Sequence, residues 1–423
     1  MLRKGVIFMS QQKSLLSISP LFLVLFIDGM GFALLLSILN GIIVDPASHF
    51  LPVSTSPAMR DFIYGFTISI FMLCWFFGAA ILGDLSDKIG RKKALMLCLF
   101  GAFLGYLISG VGVLNQSLAL LLIGRAIAGF SSGSQPIAQA AIVDISLPEH
   151  KTRNIGLVLL SCSLGFICGP IIGGVLSDPN IYHGFSLSTP LYFASVLSLF
   201  NALLLKFSFK ETCYRTGKIS IRWHQAVHVF ISAFQHKQMR FLSLAFFAAI
   251  LGWGSYFSFI TLYMSHIYHF NILDNSLLLT VMGVGFSLGF GVLAGLLSKW
   301  VTLKRLTLIA LLITSASILV LLLSHSLYII FLMVFICGTS MPIAYAGCVS
   351  IFSNQVGPDE QGWIMGVTSS INALGYGVSA LFIGMVAAVG VSIPLVFAVI
   401  FLVLSALVLM LIKVKPSVAD PTS

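Results

Sequence analysis

The chain has 423 residues, of which 58% are hydrophobic and only 9% charged, against about 25% charged in an ordinary soluble domain. That balance excludes a soluble globular protein, because 23 basic and 13 acidic side chains cannot cover so much apolar surface, and 35 Phe widen the mismatch. The 38 Gly follow no period of three and aliphatic residues dominate, which excludes collagen-like and disordered chains as well.

In chain order, apolar stretches of about 20 residues, the length a helix needs to cross roughly 30 Å of hydrocarbon, predict twelve spans. They are 18–44, 63–82, 94–114, 118–143, 155–176, 187–205, 241–264, 275–298, 306–323, 327–353, 363–388 and 392–412. Backbone groups in lipid must be paired within the segment and no barrel-like alternation is present, so the expected fold class is an all-α membrane protein. Residues 1–17 form an N-terminal arm carrying Arg3, Lys4 and Lys13. It resembles the charged flank of a signal peptide, but span 1 is too long for one and no small-residue cleavage site follows, so it is expected to stay. With that arm in the cytoplasm, 21 of the 23 Lys and Arg fall on the cytoplasmic side, Arg60 lies outside and Arg125 lies within a span. The positive-inside rule therefore places both termini in the cytoplasm and the chain in the inner membrane. The net charge of +10 is spread over six separate segments and no nucleic-acid partner is expected.

The polar stretch 206–240 is a cytoplasmic linker that divides a first half, 18–205, from a second, 241–412, and residues 413–423 form a cytoplasmic tail. Within the linker Trp223, Val227, Phe230 and Phe234 follow helical spacing, predicting an amphipathic helix lying in the membrane surface, with His224, His228 and His236 in solvent. The halves repeat each other. GDLS at 83–86 recurs as GLLS at 295–298, SQPIAQA at 134–140 as SMPIAYA at 340–346, Pro148 with Gly156 as Pro358 with Gly366, and PLYFA at 190–194 as PLVFA at 394–398. Parallel six-helix repeats are the pattern of transporters whose substrate site lies between the halves at mid-membrane. The seven Cys form no C-x-x-C and no Cys/His cluster, so they read as packing residues and no metal is expected.

Three motifs carry chemistry. The loop after span 2 reads Gly83, Asp84, Leu85, Ser86, Asp87, Lys88, Ile89, Gly90, Arg91, Lys92, Lys93. Its glycines allow a tight turn, and Asp87 and Arg91 can bond helix ends nearby. Span 4 carries Arg125, the one cation in the twelve spans, in Gly124, Arg125, Ala126, Ile127, Ala128, Gly129, with Asp144, Pro148, Glu149 and Arg153 following. Burying that cation costs about 2.5 to 3.5 kcal/mol on insertion scales, so it should face the central cavity and find a partner. Span 5 carries Gly165, Gly169, Pro170, Gly173 and Gly174, a small-residue face with a kink for which span 8, with Gly285, Gly289, Gly291 and Gly295, offers a partner surface. Asp28, in Asp28, Gly29, Met30, Gly31, is the one acid deep within a predicted span. It lies about 15 Å from the cytoplasmic end of its span and Arg125 about 10 Å from the outer end of its own, so the two can approach.

These strings resemble the signatures of the major facilitator superfamily over essentially the whole chain, and within it the twelve-span drug:proton antiporters, most like the tetracycline efflux type. The resemblance implies two pseudo-symmetric six-helix bundles. It makes Gly83, Asp87, Gly90, Arg91, Asp144 and Glu149 a gating loop, the span 5 string an antiporter helix, and Asp28 with Arg125 the proton-coupling pair. The chain departs from the pattern in two places. The Pro-rich end of span 1 is replaced by 34–40 (LLLSILN), and spans 8 to 12 hold no Asp, Glu or His, whereas tetracycline carriers keep ionisable groups there. A substrate cavity is left to Gln135, Gln139, Trp253, Tyr256, Phe257, Tyr345, Asn372 and Tyr376, aromatic and hydrogen-bonding but uncharged.

The expected function is a proton-coupled antiporter, a monomer, exporting a small amphipathic drug or endogenous metabolite by alternating access. A proton-coupled importer of a nutrient or siderophore on the same scaffold is the alternative. A membrane enzyme would need clustered His, Asp or Cys at one surface, and no nucleotide-binding motif is present, so no cofactor is expected and the proton gradient is the expected energy source.

Overall fold

The computed structural model describes residues 15–145, 151–212, 223–236, 239–356, 361–387 and 389–412, and the described residues contain helices and connecting turns with no strand. The first half comprises α1 (Leu15–Leu39), α2 (Pro57–Ile89), α3 (Arg91–Leu114), α4 (Leu118–Ser131), α5 (Ser134–Ile145), α6 (Lys151–Ser177) and α7 (Thr189–Ser208). Helix α8 (Trp223–Gln235) connects it to the second half, α9 (Arg240–Tyr268), α10 (Ile272–Leu288), α11 (Ala294–Leu297), α12 (Leu303–Leu323), α13 (Leu327–Gln355), α14 (Gln361–Ala387) and α15 (Ile393–Leu411). Five-residue π turns extend α1 over Asn40–Val44 and join α10 to α11 over Gly289–Leu293. The two ends of the molecule are named here by what they carry: the basic end holds the loop at residue 90, and the distal end holds the start of α2 and the end of α9.

Among the described residues eleven helical stretches are long and apolar enough to cross a membrane. The fourth crossing is the exception, being made of two helices of 14 and 12 residues broken at Ser132 and Gly133. At the break the Ser132 carbonyl accepts from the Gln135 N–H at 3.3 Å, since Pro136, one turn on, has no N–H to give it. Boundaries elsewhere follow capping chemistry. Ser56 accepts from the Met59 N–H with Pro57 in the first turn of α2, and Asn271 and Asp274 form a reciprocal capping box on α10. Helix α2 therefore begins six residues before the hydropathy-defined span, and α9 runs four residues past its own. This places Arg60, Asp61 and His266 on membrane helices, where the apolar count alone leaves them outside.

The span 5 glycines meet span 1 at Gly165, Gly169 and Gly173 and span 8 at Gly174. A Cβ on Gly169 would lie 2.5 Å from the Met30 carbonyl oxygen, and Gly165 and Gly173 lie against Phe26, Met30 and Ser37 of α1 in the same way. Only Gly174 turns to the second half, against Ser276 and Leu273, while Gly285 and Gly289 lie against α13 and Gly291 and Gly295 face open space. Without a hydrophobic drive between helices in lipid, close backbone approach is what selects partners, and Gly165, Gly169 and Gly173, four residues apart, give α6 that approach along α1. Gly169→Leu should therefore force α1 and α6 apart and cost at least about 2 kcal/mol of stability, read as a lower melting temperature in detergent. Gly291→Leu, in open space, should leave it unchanged.

Helix α8 is half tucked under the bundle. Phe230 and Phe234 meet Phe247 of α9 edge to face at 5.9 and 6.2 Å, and Trp363 of α14 donates its indole N–H to Ser232. Val227, expected on the same apolar face, is exposed with Ile231, as are His228 and His236. Trp223 and His224 have side chains outside the described set.

Candidate functional site

The site assembles at mid-membrane in the first half. Asp28 is half-buried on α1, and its Oδ2 accepts a 2.7 Å hydrogen bond from the Ser134 hydroxyl at the start of α5. The Pro136 break places that serine there, because it starts a new helix beside α1. Arg125 is fully buried on α4 and makes neither an ion pair nor a hydrogen bond with any described residue. Its guanidinium lies over the Phe71 ring, 4.2 Å from the centroid. The expected Asp28–Arg125 contact is therefore absent in this state, since each faces a different neighbour on the broken fourth crossing and on α2.

Tyr106 of α3 stands between them, within electrostatic reach of both. Its hydroxyl fills a notch opened by Gly31, where a Cβ would overlap it, and Gly31 is one turn beyond Asp28 on the same helix face. Close crossings hold α3 on α4: a Cβ on Gly105 would sit 2.6 Å from the Ala128 amide, and one on Gly112 2.6 Å from that of Leu121. No motif marks Tyr106, and Ser134 is marked only as the first residue of the SQPIAQA repeat; Gly31, close after Asp28, is the one sequence feature at the Tyr106 contact.

Facing this charged corner is an aromatic cluster shared by both halves. Phe32 stacks on Phe71 at 5.8 Å and on Phe257 at 5.7 Å, Phe166 meets Phe286 at 5.4 Å, and Trp253 meets Phe257 at 5.6 Å and Tyr256 at 5.4 Å. Tyr376 is edge-on to Phe257, Asn372 lies one turn along α14 and is half-buried, and Gln135 and Gln139 are half-buried on α5. Tyr256 is fully buried, so of the expected cavity residues it stands in the wall. Tyr345 packs on Phe246 and Phe290. The arrangement offers one accessible carboxyl, one desolvated cation and a broad aromatic wall, suited to proton exchange beside a small amphipathic molecule.

At the basic end Arg91 gathers the loop. It pairs with Asp87 at 2.7 Å and Asp144 at 3.4 Å and bonds the Ser86 hydroxyl. Glu149 lies outside the described residues. A further acid, Glu211 after α7, accepts the Arg91 and Lys92 backbone N–H groups at 2.8 and 3.2 Å, capping α3 where the free amides and helix dipole favour a carboxylate. Gly90 has φ 100°, and its missing side chain makes room for that carboxylate. Gly83, with its repeat counterpart Gly295, meets nothing within 4 Å. At the distal end, by contrast, a Cβ on Gly65 of α2 would sit 2.6 Å from the Ala380 carbonyl oxygen of α14. The halves are in backbone contact distally and stand clear of these two glycines at the basic end.

The family model described as Major Facilitator Superfamily matches residues 21–380 and again 242–423. The chain is 32% identical over 186 residues to the class C tetracycline resistance protein of Escherichia coli, a match covering 44% of this chain and 43% of that one. It is 25% identical over 394 residues to the mouse (Mus musculus) major facilitator superfamily domain-containing protein 10, covering 84% and 83% of the two chains. Among solved structures it shares the fold of the human organic anion transporter MFSD10, with a TM-score of 0.68 and 19% identity over 94% of this chain and 100% of that one.

Proposed function

This chain belongs to the Major Facilitator Superfamily and is a multi-pass membrane transporter, not an enzyme; on that premise we propose that it is a proton-coupled antiporter exporting a small amphipathic compound. The observation that carries this reading is the Asp28 site: a half-buried carboxyl that accepts from Ser134, in the same half as a fully buried cation, Arg125, that bonds no described residue. A carboxyl held that way can take a proton from one side and give it up on the other, and an unpaired cation gains most from a nearby anion. The wall of Trp253, Phe257, Asn372 and Tyr376 supplies contact area and hydrogen bonds for a small, partly aromatic molecule, and no metal or cofactor enters the cycle. The relatives' names, resistance to tetracycline and transport of organic anions, agree with a drug-sized substrate. The basic end is cytoplasmic in this reading, with both termini there, in the inner membrane, and one chain is the working unit.

Purified protein in liposomes tests it. Compounds found by counterflow screening should, when moved outward, bring protons back in a fixed ratio; counterflow without proton movement overturns the coupling.

The Arg91 cluster ties the start of α3 to the end of α5, so it acts on exchange between states and not on the substrate. Arg91→Ala and Asp87→Ala should each slow transport at least tenfold while leaving substrate affinity within about twofold, measured by flux and by binding on the same preparation.

A further inference from the structure

The distal ends of the halves meet at a pair of ionisable side chains outside every motif and outside the central site. Asp61, on α2, is 4% exposed, and its Oδ1 accepts no hydrogen bond. The His266 Nε2, near the end of α9 in the other half, lies 3.8 Å from that oxygen. The His266 Nδ1 is 3.0 Å from the Leu262 carbonyl oxygen. A carbonyl only accepts, so Nδ1 carries a hydrogen, and a neutral imidazole then turns a bare Nε2 toward Oδ1. Two acceptors would face each other, one of them on a buried carboxyl and the other on a half-buried imidazole. The contact is favourable only with one further proton, on Nε2 or on Oδ1.

No other described residue near the pair supplies that proton. On α2, Arg60 gives its guanidinium to the carbonyls of Ile43, Leu51 and Pro52, and Tyr64 gives its hydroxyl to the Ser258 carbonyl. On α9, Tyr263 is buried and Tyr268 donates to the Ser324 carbonyl. The π turn Asn40–Val44 and the 380–387 segment of α14, both against this part of α2, contain no ionisable residue. On α10, Asp274 is engaged in its helix cap, and Asp45, His49, His269 and His325 are exposed on the distal loops.

The pair exists because the halves touch here. Asn40 donates to Ser265 across them at 3.2 Å, Ser69 donates to the Gly377 carbonyl at 2.8 Å, and Gly65 and Gly384 allow backbone contact between α2 and α14. Any rocking that opens the distal end must carry Asp61 away with one half and His266 with the other. We propose that Asp61 and His266 form a second proton-binding site, assembled when the distal ends close and taken apart when they open. The proton held between Nε2 and Oδ1 leaves to water on opening, and by linkage its binding favours the distally closed state. This site requires only that the transporter alternates between two states, and it holds whichever way substrate moves and whether or not Asp28 couples transport.

The test uses the full chain in lipid nanodiscs, with the native cysteines replaced and spin labels on Val53→Cys and Tyr328→Cys, positions that are 76% and 91% exposed on opposite halves. Pulsed dipolar spectroscopy from about pH 5 to pH 8.5 reads the ratio of short to long distal distances. That ratio should fall as pH rises, by up to about tenfold per pH unit as one linked proton allows. Asp61→Asn and His266→Gln each place a permanent amide donor between the two positions, so either should hold the short distance at all pH values. Asp274→Asn should keep the wild-type slope. Repeating the series in an Asp28→Asn background removes any contribution of the central carboxyl. A wild-type ratio independent of pH, or a wild-type slope retained in Asp61→Asn or His266→Gln, overturns the proposal. The two variants test the same proton from opposite halves, so misfolding of one leaves the other to decide.

Discussion

Asp28→Asn is expected to abolish uphill, gradient-driven transport while downhill exchange of substrate continues. The substitution keeps the side-chain shape, and its amide oxygen still accepts from the Ser134 hydroxyl, which donates to Oδ2 in the wild type, so α1 and α5 keep their contact. What is lost is the ability to hold a proton in one state and release it in the other. The variant should bind substrate with an affinity within a few-fold of wild type and equilibrate it across the membrane, yet accumulate none against a gradient. Proteoliposomes with an imposed pH gradient measure both, and undiminished uphill flux would remove Asp28 from the coupling mechanism. Ser134→Ala, which removes the one hydrogen bond but leaves the carboxyl, should weaken coupling without abolishing it.

Arg125→Met should separate stability from function in the opposite sense to most core substitutions. The guanidinium is fully buried and none of its nitrogens has a described hydrogen-bond partner. An unpaired buried charge opposes folding by several kcal/mol, and an apolar side chain of similar length does not. The variant should melt no lower than wild type. Its transport should nevertheless fall at least tenfold, because the carboxyl of Asp28 loses the cation that answers its ionisation through Tyr106. Arg125→Lys keeps the charge while losing the flat group that lies on the Phe71 ring, and it should retain part of the activity. If Arg125→Met melted markedly lower and transported normally, the residue would be a structural element and the charge would have no part in the cycle.

The sequence by itself determined the solvent, the helices and the division into halves. Twenty-residue apolar runs can only be helices in lipid, and the repeats around Gly83, Ser134 and Pro190 marked two bundles. It also singled out Asp28 and Arg125, because an ionisable group inside such a run is costly enough to be informative wherever it ends up. The partners were decided only by the tertiary structure. Hydropathy is a local quantity that treats every apolar neighbour alike, so it could not say that Gly165, Gly169 and Gly173 would sit on α1, or that Tyr106 would enter the notch at Gly31. It began span 2 at residue 63 and ended span 7 at residue 264, and so left Asp61 and His266 outside the membrane helices. The structure brings those two together across 205 positions of sequence, within 3.8 Å. Helix pairing in lipid is set by close backbone approach and by polar contacts between distant segments, and neither is encoded in any single stretch of the chain.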